Sequence, residues 1–250
     1  MSKYISLHNH SSASFLDGLS SVKDLALRAK ELGMNALSIT DHGNVCNSIS
    51  FYNECHNVGI KPIQGCELYY CKDKFQKGKS REVNSHLIVI AKNNQGWKNL
   101  LKLSTYGYLE NFYYRPRVDI EALEKYSEGL IVCSACIQSP FAKWLMSNEF
   151  SNDWKKSCER ILDIFKDNFF FEVQPYKSKE QEIYNDLIRK EANKRNLPVI
   201  CTTDSHYCRE SDYDQHDILL AIRSGKFIDD SDRMKHESNT LFLSSEKQMR

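Results

Sequence analysis

The sequence predicts an α/β barrel of seven strand–helix repeats, and three observations support this fold class. Short apolar runs rich in β-branched residues alternate with segments of helical periodicity through most of the 250-residue chain. Such alternation favours a parallel sheet with right-handed crossovers, and seven units of this length suit a closed barrel one repeat short of the usual eight. No glycine-rich phosphate-binding turn follows the first apolar run, which weighs against the alternative, an open doubly wound sheet.

The composition and charge are those of an ordinary globular protein. Hydrophobic residues make up 41% of the chain, charged residues 27%, and the formal net charge is +1. No global field therefore recruits nucleic acid, and any such contact depends on a local patch. No apolar run is long enough to cross a membrane, and the chain does not open on a signal peptide. We expect a cytoplasmic protein without membrane contact, in which the nine cysteines are reduced and mostly buried.

Three predicted strands and two helices make up the first part of the chain. The strands cover residues 4–7, 36–40 and 61–70. The first helix has apolar positions at helical spacing from Val22 and ends at Gly33, and the second covers residues 45–58. The polar, basic stretch that follows, residues 71–84, predicts a flexible loop or the tip of a hairpin.

The remainder of the chain continues the same alternation. Four further strands are predicted over residues 86–91, 130–134, 169–173 and 198–202. A helix passes through Trp97 and Leu103, and an irregular aromatic stretch and a short helix precede the fifth strand. Further helices are predicted around residues 154–165, 180–193 and 217–223.

Side chains that bind metals follow the predicted strands at their carboxyl ends, where the sites of such barrels form. From the start of the chain onward they are His8, His10, Asp17, Asp41, His42, Glu67, Cys136, Asp204 and His206. His86 is the exception because it opens the fourth strand. Either that strand runs against the others, or the loop before it reaches the site.

The residue types in this set indicate more than one metal ion. Imidazole, carboxylate and thiolate are ligands of zinc, manganese and iron. One ion needs only three or four protein ligands, and the HxH spacing of His8 and His10 places both rings on one face of an extended segment. Closely spaced ions activate water and screen the charge of a phosphate ester. Asp204 is a candidate to move protons, and Asp41 to orient neighbouring ligands.

Three histidines, His56, His216 and His236, fall outside this set. For His56 and His216, which lie on predicted helices, we expect a surface or packing role. Cys133 forms a CxxC pair with Cys136 but lacks the second pair of a structural zinc site.

Six motifs along nearly the whole chain resemble the PHP (polymerase and histidinol phosphatase) domain family. They are "HNHSSASFLDG", "ALSITDHGNVC", "KPIQGCELY", "HLIVIAKNNQGWKNLLKL", "GLIVCSAC" and "LPVICTTDSHY". The most similar form is the domain at the N-terminus of bacterial DNA polymerase III α subunits. The resemblance implies a distorted seven-stranded (β/α) TIM-like barrel, the PHP fold, over residues 1–233. It also implies that residues 234–250 begin a connection to polymerase domains.

The resemblance further implies a site with two or three divalent ions, of zinc, manganese or iron. Carried over position by position, the ligands would be His8, His10, Asp17, His42, Glu67, His86, Cys136, Asp204 and His206. Cys136 stands where phosphatase relatives use histidine. No ligand position is missing, which favours a metal-loaded, active site. We assign catalytic roles to Asp204, His206, His10 and Asp17.

The function predicted from these residues is metal-dependent phosphoester hydrolysis, as a 3′–5′ exonuclease on single-stranded or frayed DNA ends. Arg115 and Arg117, among aromatic residues, are the predicted substrate contacts. Two alternatives stay open. One is a phosphomonoesterase of the histidinol-phosphatase type. The other is a non-catalytic, metal-stabilised scaffold that docks to polymerase domains or other replication proteins.

Overall fold

A single curled sheet runs through the centre of the protein, and helices cover its outer side. The computed structural model describes residues 2–147 and 151–250. Its strands are β1 (Ala36–Ile39), β2 (Lys61–Tyr70), β3 (Ser85–Ala91), β4 (Phe112–Tyr113), β5 (Arg115–Val118), β6 (Leu130–Cys133), β7 (Phe169–Val173) and β8 (Val199–Cys201). The hydrogen-bonded order is β4-β5-β2-β3-β6-β7-β8, and β1 pairs with β2. This confirms the predicted class, a distorted α/β barrel.

The N-terminal segment lies between β1 and the loop that follows β8 and is hydrogen-bonded to both. It forms no regular ladder among the described residues. The amide of Ser38 in β1 donates to the carbonyl of Ser6, at 3.1 Å, and the amide of His10 donates to the carbonyl of Ser205 beyond β8, at 2.8 Å. The prediction of a regular strand over residues 4–7 is therefore wrong. Isolated hydrogen bonds to both neighbours replace the ladder, but the segment lies where a barrel strand would lie.

Strand β3 corrects the expectation that the whole sheet is parallel. It pairs antiparallel with β2 on one side and with β6 on the other. A parallel partner needs a crossover of about a dozen residues or more, usually helical, and only the short helix Ser80–Val83 lies between β2 and β3. Residues 71–84 form the tip of this hairpin, as one reading of their composition predicted. The reversal also explains how His86 reaches the site from the start of its strand.

Ten α-helices lie in the described chain. They are α1 (Val22–Glu31), α2 (Ser48–Asn57), α3 (Ser80–Val83), α4 (Asn94–Leu109), α5 (Ile120–Lys125), α6 (Pro140–Leu145), α7 (Ser151–Phe165), α8 (Lys179–Arg195), α9 (Tyr213–Ser224) and α10 (Glu246–Met249). Side chains cap several of them. Ser21 accepts from the amide of Asp24 at the start of α1, and Ser178 does the same for α8. None of the described helices is both long and apolar enough to span a membrane. The cytoplasmic location stays a prediction.

The core lies between the sheet and helices α4 to α8. Phe169 and Phe171 point to the same side of β7 and are fully buried there against Phe141 of α6, with ring centroids 5.1 and 5.6 Å apart. Burying an aromatic side chain contributes about 1.5–3 kcal/mol to folding. This packing fixes β7 and its neighbours, whose inner faces carry the polar residues described below.

Candidate metal centre

The segment that carries His8 and His10 is held by Asn9. The Asn9 side-chain nitrogen donates to the carbonyls of Ser6 and Ser38, at 3.1 and 2.9 Å, and its oxygen accepts from the Ser205 hydroxyl. Because side chains alternate along an extended segment, His8 and His10 point to the opposite side, into the barrel. Both rings are fully buried. The HxH spacing thus places two imidazoles at one point, as the sequence predicted.

Asp41 organises the loop between His10 and Asp17. Its carboxylate accepts from the amide and hydroxyl of Ser11, at 2.6 and 2.7 Å, and from the hydroxyl of Ser14, at 2.7 Å. Since the Ser14 hydroxyl donates to Asp41, its oxygen accepts from Nδ1–H of His10, 2.9 Å away. His10 therefore presents Nε2 to the interior. This geometry supports the orienting role predicted for Asp41.

Glu67 lies at the centre of the site. One carboxylate oxygen is 2.6 Å from Nδ1 of His42, and the other is 3.0 Å from Nδ1 of His86. The Nε2 atoms of His8 and His10 lie 3.6 and 3.4 Å from the same carboxylate. Four imidazoles from three separate parts of the sheet therefore converge on one buried carboxylate.

Asp204 and His206 complete the inner ring from the loop after β8. Asp204 adopts a left-handed backbone conformation, with φ of 51°, that only a tightly held non-glycine residue keeps. Its Oδ1 lies 3.1 Å from Nε2 of His8 and 3.2 Å from Nε2 of His10. The ring of His206 stacks on that of His10 with centroids 4.4 Å apart. These two residues therefore belong to the same cluster as the N-terminal pair.

Three groups of side chains have donor atoms close enough to share a cation. The groups are His8 with His10 and Asp204, His10 with His42 and His206, and His42 with Glu67 and His86. Together they contain seven of the nine residues that the family resemblance implies. Asp17 adjoins them, with Oδ2 3.1 Å from Nε2 of His42. Cys136 lines the same cavity, and its thiol, whose pKa is raised by burial, stands outside the three groups.

The buried carboxylates of Glu67 and Asp204 carry oxygens that no hydrogen-bond donor satisfies. Both oxygens of Glu67 and Oδ1 of Asp204 are buried, and although imidazole nitrogens lie 2.6 to 3.2 Å from them, none of these contacts has hydrogen-bond geometry. Burial by itself raises the pKa of these acids, but His86 beside Glu67 and His8 beside Asp204 outweigh it and hold each pKa well below its usual range. Buried, ionised and unsatisfied oxygens are costly unless a cation lies against them. The donor set therefore fits divalent metal ions.

The cluster opens into a cavity of about 250 Å³ that has charged walls. Arg115 lines it, over the ring of Tyr69, and Arg223 lines it with a guanidinium nitrogen 2.6 Å from Oδ1 of Asp17. Met234 and His236 also line it. Sequence reasoning missed Arg223 and His236, because only the packing of the segment after α9 brings them to the site.

The two arginines predicted to bind substrate have different surroundings. Arg115 is exposed and lines the cavity. Arg117 is 1% exposed, and its guanidinium donates to the carbonyls of Lys74, Gln76 and Asn111. Arg117 therefore anchors the tip of the β2–β3 hairpin, which corrects its assignment as a substrate contact.

The segment after α9 packs against the loop that carries His206. The amide of His206 donates to the carbonyl of Leu241, at 2.8 Å, and the amide of Leu243 donates to the carbonyl of Tyr207, at 3.1 Å. His216 of α9 is buried, with Nε2 2.8 Å from the carbonyl of Asp17, which is the packing role expected for it.

A larger cavity of about 600 Å³ lies elsewhere in the barrel but has no comparable chemistry. Its walls are mainly apolar, with Ile63, Ile90, Ile131 and Phe170 from four strands, and the described lining contains no histidine or carboxylate. Size alone therefore does not locate the functional site.

Comparisons with known proteins agree with this geometry. The PHP domain family matches residues 6–176. The chain is 40% identical to the DNA polymerase III subunit alpha of Borreliella burgdorferi, over 99% of the chain and 22% of that protein. It is 40% identical to the subunit of Aquifex aeolicus, over 91% of the chain and 20% of that protein. The chain thus spans about a fifth of the length of these relatives.

Two solved structures share the fold at low sequence identity. One is assigned as a metal-dependent phosphoesterase from Bifidobacterium adolescentis, with a TM-score of 0.51, 13% identity and coverage of 81% of this chain and 87% of that one. The other is an amidohydrolase from Chromobacterium violaceum with bound sulfate, with a TM-score of 0.51, 12% identity and the same coverage.

Proposed function

This chain belongs to the PHP domain family, and on that basis we propose that it is a metal-dependent phosphoesterase that removes nucleotides from DNA ends in the 3′–5′ direction. The observation that carries the proposal is the convergence of buried imidazoles on the unsatisfied carboxylates of Glu67 and Asp204. Such a donor set suits divalent cations, and the PHP family includes hydrolases of phosphate esters.

We propose that the nine residues implied by the family resemblance hold two or three ions. The three groups with close donor atoms would bind them, and Asp17 and Cys136 at the cavity would complete their coordination. When bound, zinc, manganese or iron ions in such a site activate water and stabilise the charge that develops on the phosphate oxygens. The native metal is left open by the donor types.

The arginines of the cavity would position the substrate. Arg115 and Arg223 both line the cavity, and the guanidinium fork of each suits a phosphate. Arg223 is held by Asp17 at 2.6 Å, so it already points into the cavity. We propose that the two side chains contact phosphates on either side of the scissile bond, and that Asp204 and His206 move protons there.

The cavity dimensions favour the end of a strand over continuous duplex. A volume of about 250 Å³ accepts a terminal group but no long stretch of double helix. Exposed Phe112 and Tyr114 lie on the same hairpin as Arg115, where bases of a single strand could stack. Single-stranded 3′ ends are therefore the proposed DNA substrate.

The relatives support a role in replication. They are DNA polymerase III alpha subunits about five times longer than this chain. We propose that residues 1–233 form the phosphoesterase domain and residues 234–250 begin a connection. Polymerase domains or other replication proteins would be the partners.

The small cavity also suits a second candidate, a phosphomonoesterase for small molecules. Its substrate would be a compact phosphate ester such as histidinol phosphate. Hydrolysis of the two substrate types at equal concentration separates the two activities.

The test is hydrolysis of a 5′-labelled single-stranded oligonucleotide with Mn²⁺ or Zn²⁺, with and without chelator. We expect products shortened from the 3′ end. The variant Asp204→Ala should be more than about 100-fold slower, because losing several kcal/mol of charge stabilisation has that effect on a rate. Asp186→Ala, which changes an exposed carboxylate on α8, serves as the matched control.

Two results would overturn the exonuclease proposal. If Asp204→Ala digests the oligonucleotide as fast as the parent, the activity belongs to another protein. If no metal supports hydrolysis while chelation lowers the melting temperature, the domain is the metal-stabilised scaffold.

A further inference from the structure

Glu172 is a carboxylate in the middle of an apolar strand. It lies in the run "FFFEV" of β7, and none of its surface is exposed to solvent. No lysine or arginine pairs with it among the described residues. A buried carboxylate without a cationic partner costs stability unless it has a role that offsets that cost.

The contacts of Glu172 converge on one oxygen. Oε1 lies 2.7 Å from Nδ1 of His8, and it also accepts from the Gln174 side-chain amide, at 3.1 Å, and from the Thr202 hydroxyl, at 2.5 Å. The amide of Glu172 donates to the Ser134 hydroxyl, at 2.9 Å. Strands β7 and β8 and the loop after β6 thus hold the carboxylate in place behind the ring of His8.

This arrangement determines which nitrogen of His8 carries hydrogen. Oε1 is the acceptor for two other donors, so its contact with Nδ1 is an N–H donation from the ring. Nε2 then faces the site, where Asp204 Oδ1 lies 3.1 Å away and Nε2 of His10 lies 3.2 Å away, and its lone pair would be available to a cation bound there. The position of Glu172 therefore turns His8 into a donor directed at the metal centre.

We propose that Glu172 is a positioning residue for a divalent cation at His8, which fixes the ring's tautomer and raises the electron density on Nε2. The inference rests on the proposed metal-dependent function. Glu172 would not bind the cation itself. It would act on the cation through the ring of His8, which is one of the ligands that the family resemblance implies. A carboxylate behind a ligating imidazole generally has this effect.

Two neighbouring imidazoles, those of His10 and His206, are held differently. Nδ1 of His10 bonds to the hydroxyl of Ser14, and Nδ1 of His206 to the backbone carbonyl of Asp204, at 2.8 Å. Of these three rings only His8 has an ionisable acceptor behind it. We therefore expect the group of His8, His10 and Asp204 to depend on Glu172 more strongly than the group of His42, Glu67 and His86.

The experiment is titration of the metal-free protein with Co²⁺, followed by its visible absorption, for the parent and Glu172→Gln. The amide keeps the shape of the side chain and can leave an oxygen where three donors converge, but it carries no charge, so it is a weaker acceptor for Nδ1–H and leaves Nε2 a poorer donor. We expect a loss of affinity of about 10–100-fold at one class of site, the usual effect of such partners. Glu191→Gln, at a buried glutamate on α8 that pairs with Arg195, is the matched control and should bind as the parent does.

A second readout separates positioning from simple destabilisation. In the Zn²⁺-loaded protein the Nδ1–H proton resonance of His8 reports the strength of its hydrogen bond, and we expect it to move upfield in Glu172→Gln because the acceptor has lost its charge. If Glu172→Gln does not fold, Glu172→Asp provides the test, because it keeps the charged acceptor and should keep the resonance downfield with weaker metal binding. Thr202→Val removes another contact of the carboxylate, and we expect the resonance to stay downfield.

The outcomes distinguish this inference from the proposed function. Equal Co²⁺ affinity and an unchanged His8 Nδ1–H resonance in Glu172→Gln, beside a parent that binds tightly, would overturn the positioning role alone. A parent protein that binds no Co²⁺, Mn²⁺ or Zn²⁺ would overturn the proposed function and the inference with it.

Discussion

At the scale of the residue, the site depends on how tightly the loop from His10 to Asp17 closes. The loop returns at Gly18, where an added Cβ would lie 2.0 Å from the carbonyl oxygen of Ser11. No side chain fits there without moving backbone. The short loop in turn lets Asp41 bind both Ser11 and Ser14 and so orient His10.

We expect Gly18→Ala to weaken metal binding and to destabilise the fold by about 1–3 kcal/mol, since the loop must open to accept the methyl group. Urea unfolding and Co²⁺ titration measure the two effects. Gly78→Ala is the control, because that glycine is exposed in the hairpin tip and its added Cβ would meet only side-chain atoms, at 3.3 Å or more. Equal behaviour of both variants would show that the loop closure is unimportant.

Sequence reasoning identified the residues of the site better than their supports. His8, His42 and Asp204 each follow an apolar run, so the rule that barrel sites form at strand ends places them together. Arg223 has no local sequence pattern that indicates a role in the site. Glu172 has only one, its charge inside the apolar strand β7. Their roles depend on which elements are neighbours, which one sequence does not state. Arg117 misled because its burial is a tertiary property.

At the scale of the element, the β4–β5 hairpin supports the basic loop beside it. We expect Arg117→Met to destabilise the protein by about 2–4 kcal/mol, since the backbone carbonyls of Lys74 and Gln76 lose a charged donor. Trypsin should then cut within residues 71–84 more rapidly than in the parent.

Arg115→Met is the matched control for this loop. Its side chain is exposed, so we expect stability and protease resistance to stay those of the parent while the KM for oligonucleotide rises. Rapid cleavage of the loop in Arg115→Met would contradict the division of roles between the two arginines.

Strand β7 is the element on which the core and the site depend together. Phe171→Ala should destabilise the fold by about 3–5 kcal/mol, because it removes a fully buried ring from the contact with Phe141. Phe227→Ala, at a position 83% exposed, should change stability by less than about 0.5 kcal/mol. Urea unfolding measures both, and a small effect of Phe171→Ala would show that this packing is replaceable.

The order of elements was predictable and the direction of β3 was not. Hydrophobic periodicity predicts the alternation of strands and helices, because each type of element has its own local pattern of apolar residues. Strand direction depends on the connection, and only the lack of a long helix between β2 and β3 indicated a hairpin. The segment around Ser6 was predicted as a strand because apolar residues flank Ser6 in the sequence. In the structure its backbone hydrogen bonds are divided between β1 and the loop after β8, so no regular ladder forms.

At the scale of the whole molecule, we expect the proposed metal binding to be coupled to folding, because the candidate donors come from residues far apart in sequence. A ligand present at about 100 times its dissociation constant stabilises the folded state by about 2.7 kcal/mol. For a domain of this size we expect chelation to lower the melting temperature by about 5–10 °C. Asp204→Asn should show a smaller difference between the metal-bound and chelated protein, and an equal melting temperature with and without chelator in the parent would contradict the coupling.

The pairing of Leu241 with His206 has a consequence for how the protein is made. The ribosome releases His8 and His10 first, and they must wait for Asp204, His206 and the stretch that braces them. A nascent chain that ends before Leu241 contains His8 and His10 but not the complete set of candidate ligands with its supporting segment. We therefore expect the proposed ions to bind late in synthesis, after residues 204–243 have become available to fold against the N-terminal segment.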